Sequence, residues 1–404
     1  MYFNAPGISI AFIIQDFGNG CTFTMKKIAV LVFSGYNKRG VIAFCRVLKA
    51  RGVSFAIIAK SEADTIFRSE YASEVVGIRH AAALVREDLV HQIRLARARL
   101  NADKYFIAPS TESLNRFLLA NRQVFTAEDC IVPLVEESIY KQLSDKYRFT
   151  AYCQEHGVRV PQQIETITSF PVVAKPGEYW SRKGGAALYP VIINDAAGYA
   201  DFAENNDESE YFYQEYVGGQ SYYLLYYFAR DGEVLSYSQK NLIQQPEGKS
   251  VIAAVSCNIH KQTISSQYIE LFSGLGYFGL VMVEVKLYQG EYYMIEANPR
   301  FWGPSQLFVD AGCPLFEAYL SDFGVSFQAD ILEHQPSEDE VRYCWLGGMA
   351  DTDGKQRELT FHDYDRESFM KQFPEWLAAD VYNRPDTNNL FMDEAENGVV
   401  KGCV

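Results

Sequence analysis

From Lys26 onward, apolar runs of strand length alternate with helical patterns, and this restricts the fold more than any other feature. KIAVLVFSG reads as a buried strand. RGVIAFCRVLKARG places Val41, Ile42, Phe44, Cys45 and Leu48 on one side of a helix that Gly52 closes. VSFAIIAKS is the next strand, REDLVHQIRLARARL a helix, KYFIAPS a strand and TESLNRFLLANR a helix. Parallel neighbours need a crossover, so this βαβα order predicts an open, largely parallel sheet. Ligands on such sheets sit beyond the carboxyl ends of the strands. That puts Ser34, Arg39, Ser110, Thr111 and Glu112 on loops that would face a substrate, with Arg39 suited to a carboxylate. Thr111, three residues before Leu114, is equally placed to cap the helix that follows it.

The 404 residues suffice for two or three domains with full cores. A net charge of −14 without a basic patch argues against a nucleic-acid partner. No apolar run reaches the ~20 residues of a membrane-spanning helix, so no membrane partner is expected. Cys21, Cys45, Cys130, Cys153, Cys257, Cys313, Cys344 and Cys403 are scattered, with neither CxxC nor metal-ligand spacing. They read as free thiols, and a cytoplasmic location is expected. Residues 8–14 (ISIAFII) are apolar but no Lys or Arg precedes them, unlike a signal peptide. Met25 reads as the natural start, and residues 1–24 as an extension without a fold of its own.

Residues 25–140 form the predicted α/β domain, and a second region spans 141–324, divided into 141–210 and 211–324. SDKYRFTAYCQEHGVRVP is a helix stopped by Gly157 and a proline, and PVVAKP is a short buried strand. A polar loop with Gly177, Gly184 and Gly185 follows. Residues 208–241 alternate apolar and polar around turns at Gly218-Gly219 and Asp231-Gly232, which predicts antiparallel sheet. SSQYIELFSGLG is a helix, and the stretch ending in EANPR is a hairpin. Residues 325–404 form a more polar C-terminal extension whose role the sequence leaves open. Two phosphate-loop look-alikes fail on context. Gly274-Leu-Gly-Tyr-Phe-Gly279 follows a helix and opens a strand, the reverse of a dinucleotide loop. Gly248-Lys-Ser250 has Ile243 where a P-loop needs glycine.

The chemistry concentrates in the last hairpin. Glu284 interrupts the apolar strand VMVEVKL, where an unpartnered carboxylate is costly. Met294, Glu296 and Asn298 alternate along the next strand and so are expected on one face, which Arg300 continues. Two acids and an amide are oxygen donors of the kind Mg²⁺ takes, with Mn²⁺ an alternative. Directly opposed hairpin residues share a face, so Glu284 stands opposite Glu296 only if the loop has an odd count. Gln289-Gly290-Glu291 as a three-residue loop meets that condition; a two-residue turn would separate the carboxylates. Taken alone, two hairpin acids are more often exposed or lysine-paired; the apolar flanks and the neighbouring Asn-Pro-Arg favour a site.

The stretch EVKLYQGEYYMIEANPRFWG resembles the metal-binding end of ATP-grasp enzymes, and its FWG is most similar to the branch akin to carbamoyl-phosphate synthetase. The resemblance covers residues 26–320. It implies an open α/β domain ahead of a two-part ATP-grasp fold with antiparallel sheet. It further implies that Lys146 and Lys175 contact ATP phosphates, although a lysine before Pro176 could also be a surface charge. The glycine-rich lid would be residues 177–185, with Arg182, Lys183 and Gly184. Gln214, Glu215, Tyr216 and Val217 would pair with adenine, Glu284, Glu296 and Asn298 would hold metal, and Arg300 would act on the reacting groups. Ser221 departs from the family at a position where many members carry a ribose-binding glutamate; it or Gln220 would have to substitute. Lys240 could reach phosphate or substrate, or simply be a surface lysine. The implied activity joins a carboxylate, activated by Mg-ATP as an acyl phosphate, to an amine. Carboxyphosphate or kinase chemistry and a non-catalytic ATP-binding module are the alternatives. Small-molecule acid and amine substrates are the expected partners, and family habit leaves a homodimer open.

Overall fold

A computed structural model describes residues 26–185, 187–328, 331–332, 334–349 and 358–396. The expectations for residues 1–24 and for Met25 lie outside the described residues. The predicted parallel sheet is present: β1 (Ile28–Phe33), β2 (Phe55–Ala59), β3 (Val75–Ile78), β4 (Lys104–Ile107) and β5 (Cys130–Ile131) run parallel in the order β3-β2-β1-β4-β5. The chain order reverses between β1 and β4, the position where open α/β sheets leave a crevice. Helices α1 (Lys38–Ala50), α2 (Arg86–Leu100), α3 (Glu112–Ala120) and α4 (Arg122–Ala127) accompany it. Asn37 begins α1 in the left-handed region without capping it. Its Nδ2 instead donates to the carbonyls of Ser110 (2.9 Å) and Phe301 (2.8 Å), which ties the β1 and β4 loops to the segment after the acidic hairpin.

Helices α5 (Glu137–Ser144) and α6 (Lys146–Glu155) lead into a four-stranded sheet of β6 (Gln163–Ile164), β7 (Val172–Pro176), β8 (Val191–Ile193) and β9 (Tyr211–Glu215), ordered β6-β9-β7-β8. Helix α7 (Ala196–Asn205) covers it, with Phe202 in its small core. The large sheet is antiparallel: β10 (Gln220–Phe228), β11 (Val234–Gln244), β12 (Val251–Ser256), β13 (Gly279–Tyr288) and β14 (Glu291–Asn298). Its order is β14-β13-β10-β11-β12, continued by β15 (Arg342–Cys344), while β16 (Thr360–Phe361) pairs with β11. Helix α8 (Thr263–Gly274) packs Tyr268 and Phe272 on one face of this sheet. On the other, α9 (Ser305–Asp310) and α10 (Leu315–Asp322) bring Phe308 and Phe316 against Phe44 and Phe301. The extension beyond residue 325 therefore adds strands to the large sheet, followed by α11 (Arg366–Lys371), α12 (Phe373–Ala378) and α13 (Asn388–Glu394).

The acidic hairpin corrects two expectations. Tyr288 pairs with Glu291, so the turn is the two residues Gln289-Gly290, not three. Both have positive φ (52° and 83°), the backbone that tight two-residue hairpins require. This parity alone would have put the two glutamates on opposite faces. A β-bulge repairs it: Val285 pairs with Met294 but Glu284 with Glu296, leaving Ile295 as the extra residue. The same bulge removes Met294 from the face of Glu296; it is buried in the α8-side core with Val283 and Val285. The two acids thus stand opposite one another, as the sequence required, by a different device.

Candidate active site

The large sheet floors a cavity of about 2370 Å³. The β1 and β4 loops, the small sheet and the C-terminal extension supply its other walls. Ligand pockets are commonly about 300–1,000 Å³, so two molecules fit side by side. Met282, Glu284 and Lys286 of β13 line it with Glu296 and Asn298 of β14, Arg300 and Tyr223 of β10. Tyr223 lies directly opposite Glu284 on the neighbouring strand.

The carboxylates are held from both sides. Asn298 Nδ2 donates to Glu296 Oε1 at 2.7 Å, and Lys146 Nζ sits 2.9 Å from Glu296 Oε2. Arg300 Nη2 donates to Asn298 Oδ1 at 3.1 Å. Glu284 Oε1 accepts from Ser221 Oγ (3.0 Å), which accepts from Asn241 Nδ2 (2.9 Å), whose Oδ1 accepts from Gln239 Nε2 (2.7 Å). All three relay residues are fully buried. Ser221→Ala would strand Asn241 and remove the Glu284 donor. Leaving one buried polar group unsatisfied costs about 1–3 kcal/mol. A loss of that size in urea-unfolding stability is expected; an unchanged midpoint would show the relay to be energetically idle.

Burial, and then the charge of Glu296, push the Glu284 carboxyl above its ordinary value, with Lys286 and Ser221 pulling back. Burial also acts against the Glu296 charge, but Lys146, Asn298 and Arg300 outweigh it and hold this carboxyl low. Burial opposes the charge of Lys146 as well; Glu296 and Glu112 more than compensate, and its pKa is raised. Lys175 is buried at the end of β7 and donates at 2.8 Å to the carbonyl of Ile295, the bulged residue. Burial, and then repulsion from Lys146, lower its pKa to about 8.

Two facing carboxylates, one of them destabilised by burial and by its neighbour, plus an amide oxygen, fit Mg²⁺. Among the described residues no three His, Cys, Asp or Glu side chains cluster.

The other candidates divide. Gln214, Glu215, Tyr216 and Val217 line the cavity. Gln214 is fully buried and its Oε1 has no partner, while Lys286 Nζ donates to the Val217 carbonyl at 3.0 Å and lies 5.0 Å over the Tyr216 ring. Ser34, Arg39, Ser110, Thr111 and Glu112 also line it. Several are already engaged: Ser34 Oγ donates to Asp64 (2.7 Å), Ser110 Oγ to the Phe33 carbonyl (3.2 Å), and Glu112 accepts from Arg116 (2.9 Å). Thr111 caps α3 through Leu114 N–H. Ser221, Lys240, Arg182, Lys183 and Gly184 are not part of the wall. Ser221 is consumed by Glu284, Lys240 lies 3.4 Å from Asp363, Arg182 3.5 Å from Glu178 and Lys183 2.6 Å from Asp207. From residues 177–185, Glu178, Tyr179, Trp180 and Gly185 line the cavity instead. Sequence reasoning missed Tyr223, Trp302, Trp345, His362, Tyr382 and Glu394. The strand register opposite Glu284 would have pointed to Tyr223; nothing local marks the C-terminal four.

Residues 143–304 match the family model of the ATP-grasp domain. The fold is similar to that of the biotin carboxylase domain of Hydrogenobacter thermophilus 2-oxoglutarate carboxylase, solved with MgADP and bicarbonate (TM-score 0.58, 14% identity, 80% of this chain and 74% of that one). It is also similar to the L-amino acid ligase of Bacillus licheniformis (TM-score 0.57, 13% identity, 80% and 81%) and to Campylobacter jejuni biotin carboxylase (TM-score 0.57, 14% identity, 78% and 75%). No curated protein sequence matches the chain. The chain carries an ATP-grasp domain. Its parallel-sheet region followed by antiparallel sheet is the architecture these structures share. The six cysteines among the described residues are unpaired, and no described helix is long and apolar enough to cross a membrane.

Proposed function

We propose that the chain is an Mg-ATP-dependent ligase that activates a carboxylate as an acyl phosphate for attack by an amine. The observation that carries this reading is the Glu284–Glu296 pair on the cavity floor, brought into register by a bulge whose carbonyl holds Lys175. Mg²⁺, when bound, neutralises charge on the β- and γ-phosphoryl oxygens, and Glu284, Glu296 and Asn298 are the residues to hold it. Lys146 and Lys175 grip the phosphoryl oxygens and keep them in line. A carboxylate oxygen of the acid substrate bonds to the γ-phosphorus as ADP leaves. The amine nitrogen then adds to the acyl carbon, phosphate departs and the amine proton passes to solvent. Arg300, which lines the cavity, would donate to the oxyanion of that addition. Gln214 to Val217 form the adenine edge, where the unpartnered Gln214 Oε1 can accept.

The free enzyme's kcat/KM for ATP is expected to fall as pH rises through about 8, because the Lys175 ammonium is present below that value and lost above it. Lys175→Met should lack this step. Between about 8 and the ordinary lysine value of 10.5 the unfolded chain binds this proton and the folded one does not. Ligand-free stability from this group therefore rises with pH across that window. A kcat/KM profile flat through the same window in the wild type would remove Lys175 from the phosphates.

The test of the whole reading is ADP release from Mg-ATP with amino acids, small diacids and amines supplied singly and in pairs, repeated with Glu296→Ala. ADP formed only with an acid present, and abolished by the substitution, supports it. Stabilisation by Mg-ATP without ADP from any combination would instead favour a binding module.

A further inference from the structure

We infer that the part of the cavity bounded by the start of α1, Trp302 and the C-terminal segment is a subsite for a small zwitterion. Its ammonium group would face Glu394, and its carboxylate would face Arg39 and the Trp302 indole. Such a ligand, an amino acid in chemical class, would be one of the two co-substrates, so the inference rests on the ligase reading.

A base and an acid line this wall half-buried and unpaired with each other, and a third group is buried without a partner. Glu394, the last residue of α13, lines the cavity. Its only hydrogen-bond donor among the described residues is the Trp345 indole N–H, at 3.2 and 3.4 Å from the two oxygens. One long bond from a neutral donor does little to offset the burial of a carboxylate. Burial raises this carboxyl to about 7, against the Trp345 bond and the charges of Arg39 and Lys38, neither of which pairs with it directly.

Arg39 touches the same indole on its face, with the guanidinium carbon 3.8 Å from the ring centroid. It does not pair with Glu394. Its hydrogen bonds, to the Val251 carbonyl (2.9 Å) and the Tyr343 hydroxyl (3.2 Å), both use Nη1. Nη2 packs against Gly303, where a Cβ would lie only 2.8 Å from it. Glycine at 303 is what lets the guanidinium approach this wall. Beside it, Trp302 is 1% exposed and lines the cavity, and its Nε1 is buried with no partner. Buried donors of this kind are nearly always satisfied, so an oxygen supplied by a ligand is the natural completion.

A guanidinium whose Nη2 makes no hydrogen bond among the described residues, an unpartnered indole N–H and a weakly held carboxylate on one wall define the ligand. A lone carboxylate would leave Glu394 without a cation, and a lone amine would leave Arg39 and Trp302 without an anion. A molecule carrying both charges answers all three. The arrangement joins the N-terminal sheet region, the segment after Asn298 and the extension, which explains why residues beyond 340 reach into the cavity.

The experiment is calorimetric binding to the full chain saturated with Mg-ADP. The probes are the twenty standard amino acids, their N-acetyl derivatives and the amines left on removing the carboxyl group. At least one amino acid is expected to bind, and both of its derivatives to bind at least ~10-fold more weakly, as for loss of one buried charge partner. Glu394→Gln keeps an acceptor for the Trp345 N–H but loses the charge. It should weaken the amino acid by at least ~10-fold while leaving Mg-ADP binding and the melting temperature unchanged. If that variant fails to fold, the comparison of amino acid with derivatives on the wild type still decides. Absence of binding by every amino acid, or equal binding of an N-acetyl or decarboxylated derivative, overturns the subsite. Amino-acid binding without ADP release under any condition would remove the ligase reading and leave the subsite standing.

Discussion

Glu296→Gln is expected to cut ADP release by at least ~100-fold at saturating Mg-ATP. The lower bound follows from the roughly 10- to 100-fold losses seen when residues that merely support a metal ligand are replaced. Here the ligand itself loses its charge. The substitution should leave the fold intact, because two effects on stability oppose each other. Lys146, 2.9 Å away, loses its counter-charge. Glu284, whose carboxyl is raised partly by Glu296, is relieved of a like charge. Glutamine also keeps the acceptor for Asn298 Nδ2. The melting temperature without nucleotide should therefore move little while the stabilisation by Mg-ATP shrinks. A variant that retains both turnover and Mg-ATP stabilisation would detach Glu296 from metal binding.

Arg300→Ala should reduce turnover by at least ~100-fold, the usual loss on removing one oxyanion donor, or roughly 3–4 kcal/mol of barrier. ATP should still bind, since Arg300 contacts neither Glu284 nor Glu296; its hydrogen bonds go to Asn298 Oδ1 and the Phe301 carbonyl. The discriminating result is the split between the two constants: kcat falls while the nucleotide dissociation constant stays within a few-fold. A matching loss in both would make Arg300 a nucleotide-binding residue.

Much of the scaffold was legible because it rests on local periodicity. Strands β1, β2 and β4 of the parallel sheet, helix α2 from Arg86 to Leu100 and the acidic hairpin follow from it; β3 and β5 were not among the expected strands. The site was legible where residues were unusual for their element, as Glu284 is within β13. Elsewhere the decisive partner lies far along the chain. Ser221 was visible as a departure from the family, but its engagement with Glu284 and Asn241 depends on strand pairing across β10, β11 and β13. The hairpin shows the limit most clearly. The parity condition on the two glutamates was sound, yet it was met by an extra residue at Ile295 rather than by a longer turn. The adjacent apolar pair Met294-Ile295, which breaks the alternation of β14, was the one local sign of that bulge. The extension gave no comparable sign. Its strands are two or three residues long, and its cavity residues Trp345, His362, Tyr382 and Glu394 share no period.

We propose Glu284 and Glu296 as the metal site of a Mg-ATP enzyme. A crystal structure of the full chain with Mg²⁺ and a non-hydrolysable ATP analogue tests it most directly. The expected result is metal density about 2.1 Å from an oxygen of each carboxylate, with Lys146 and Lys175 on the phosphates. A nucleotide bound with its metal elsewhere, and Glu284 and Glu296 still engaged only by Ser221, Asn298 and Lys146, would contradict it.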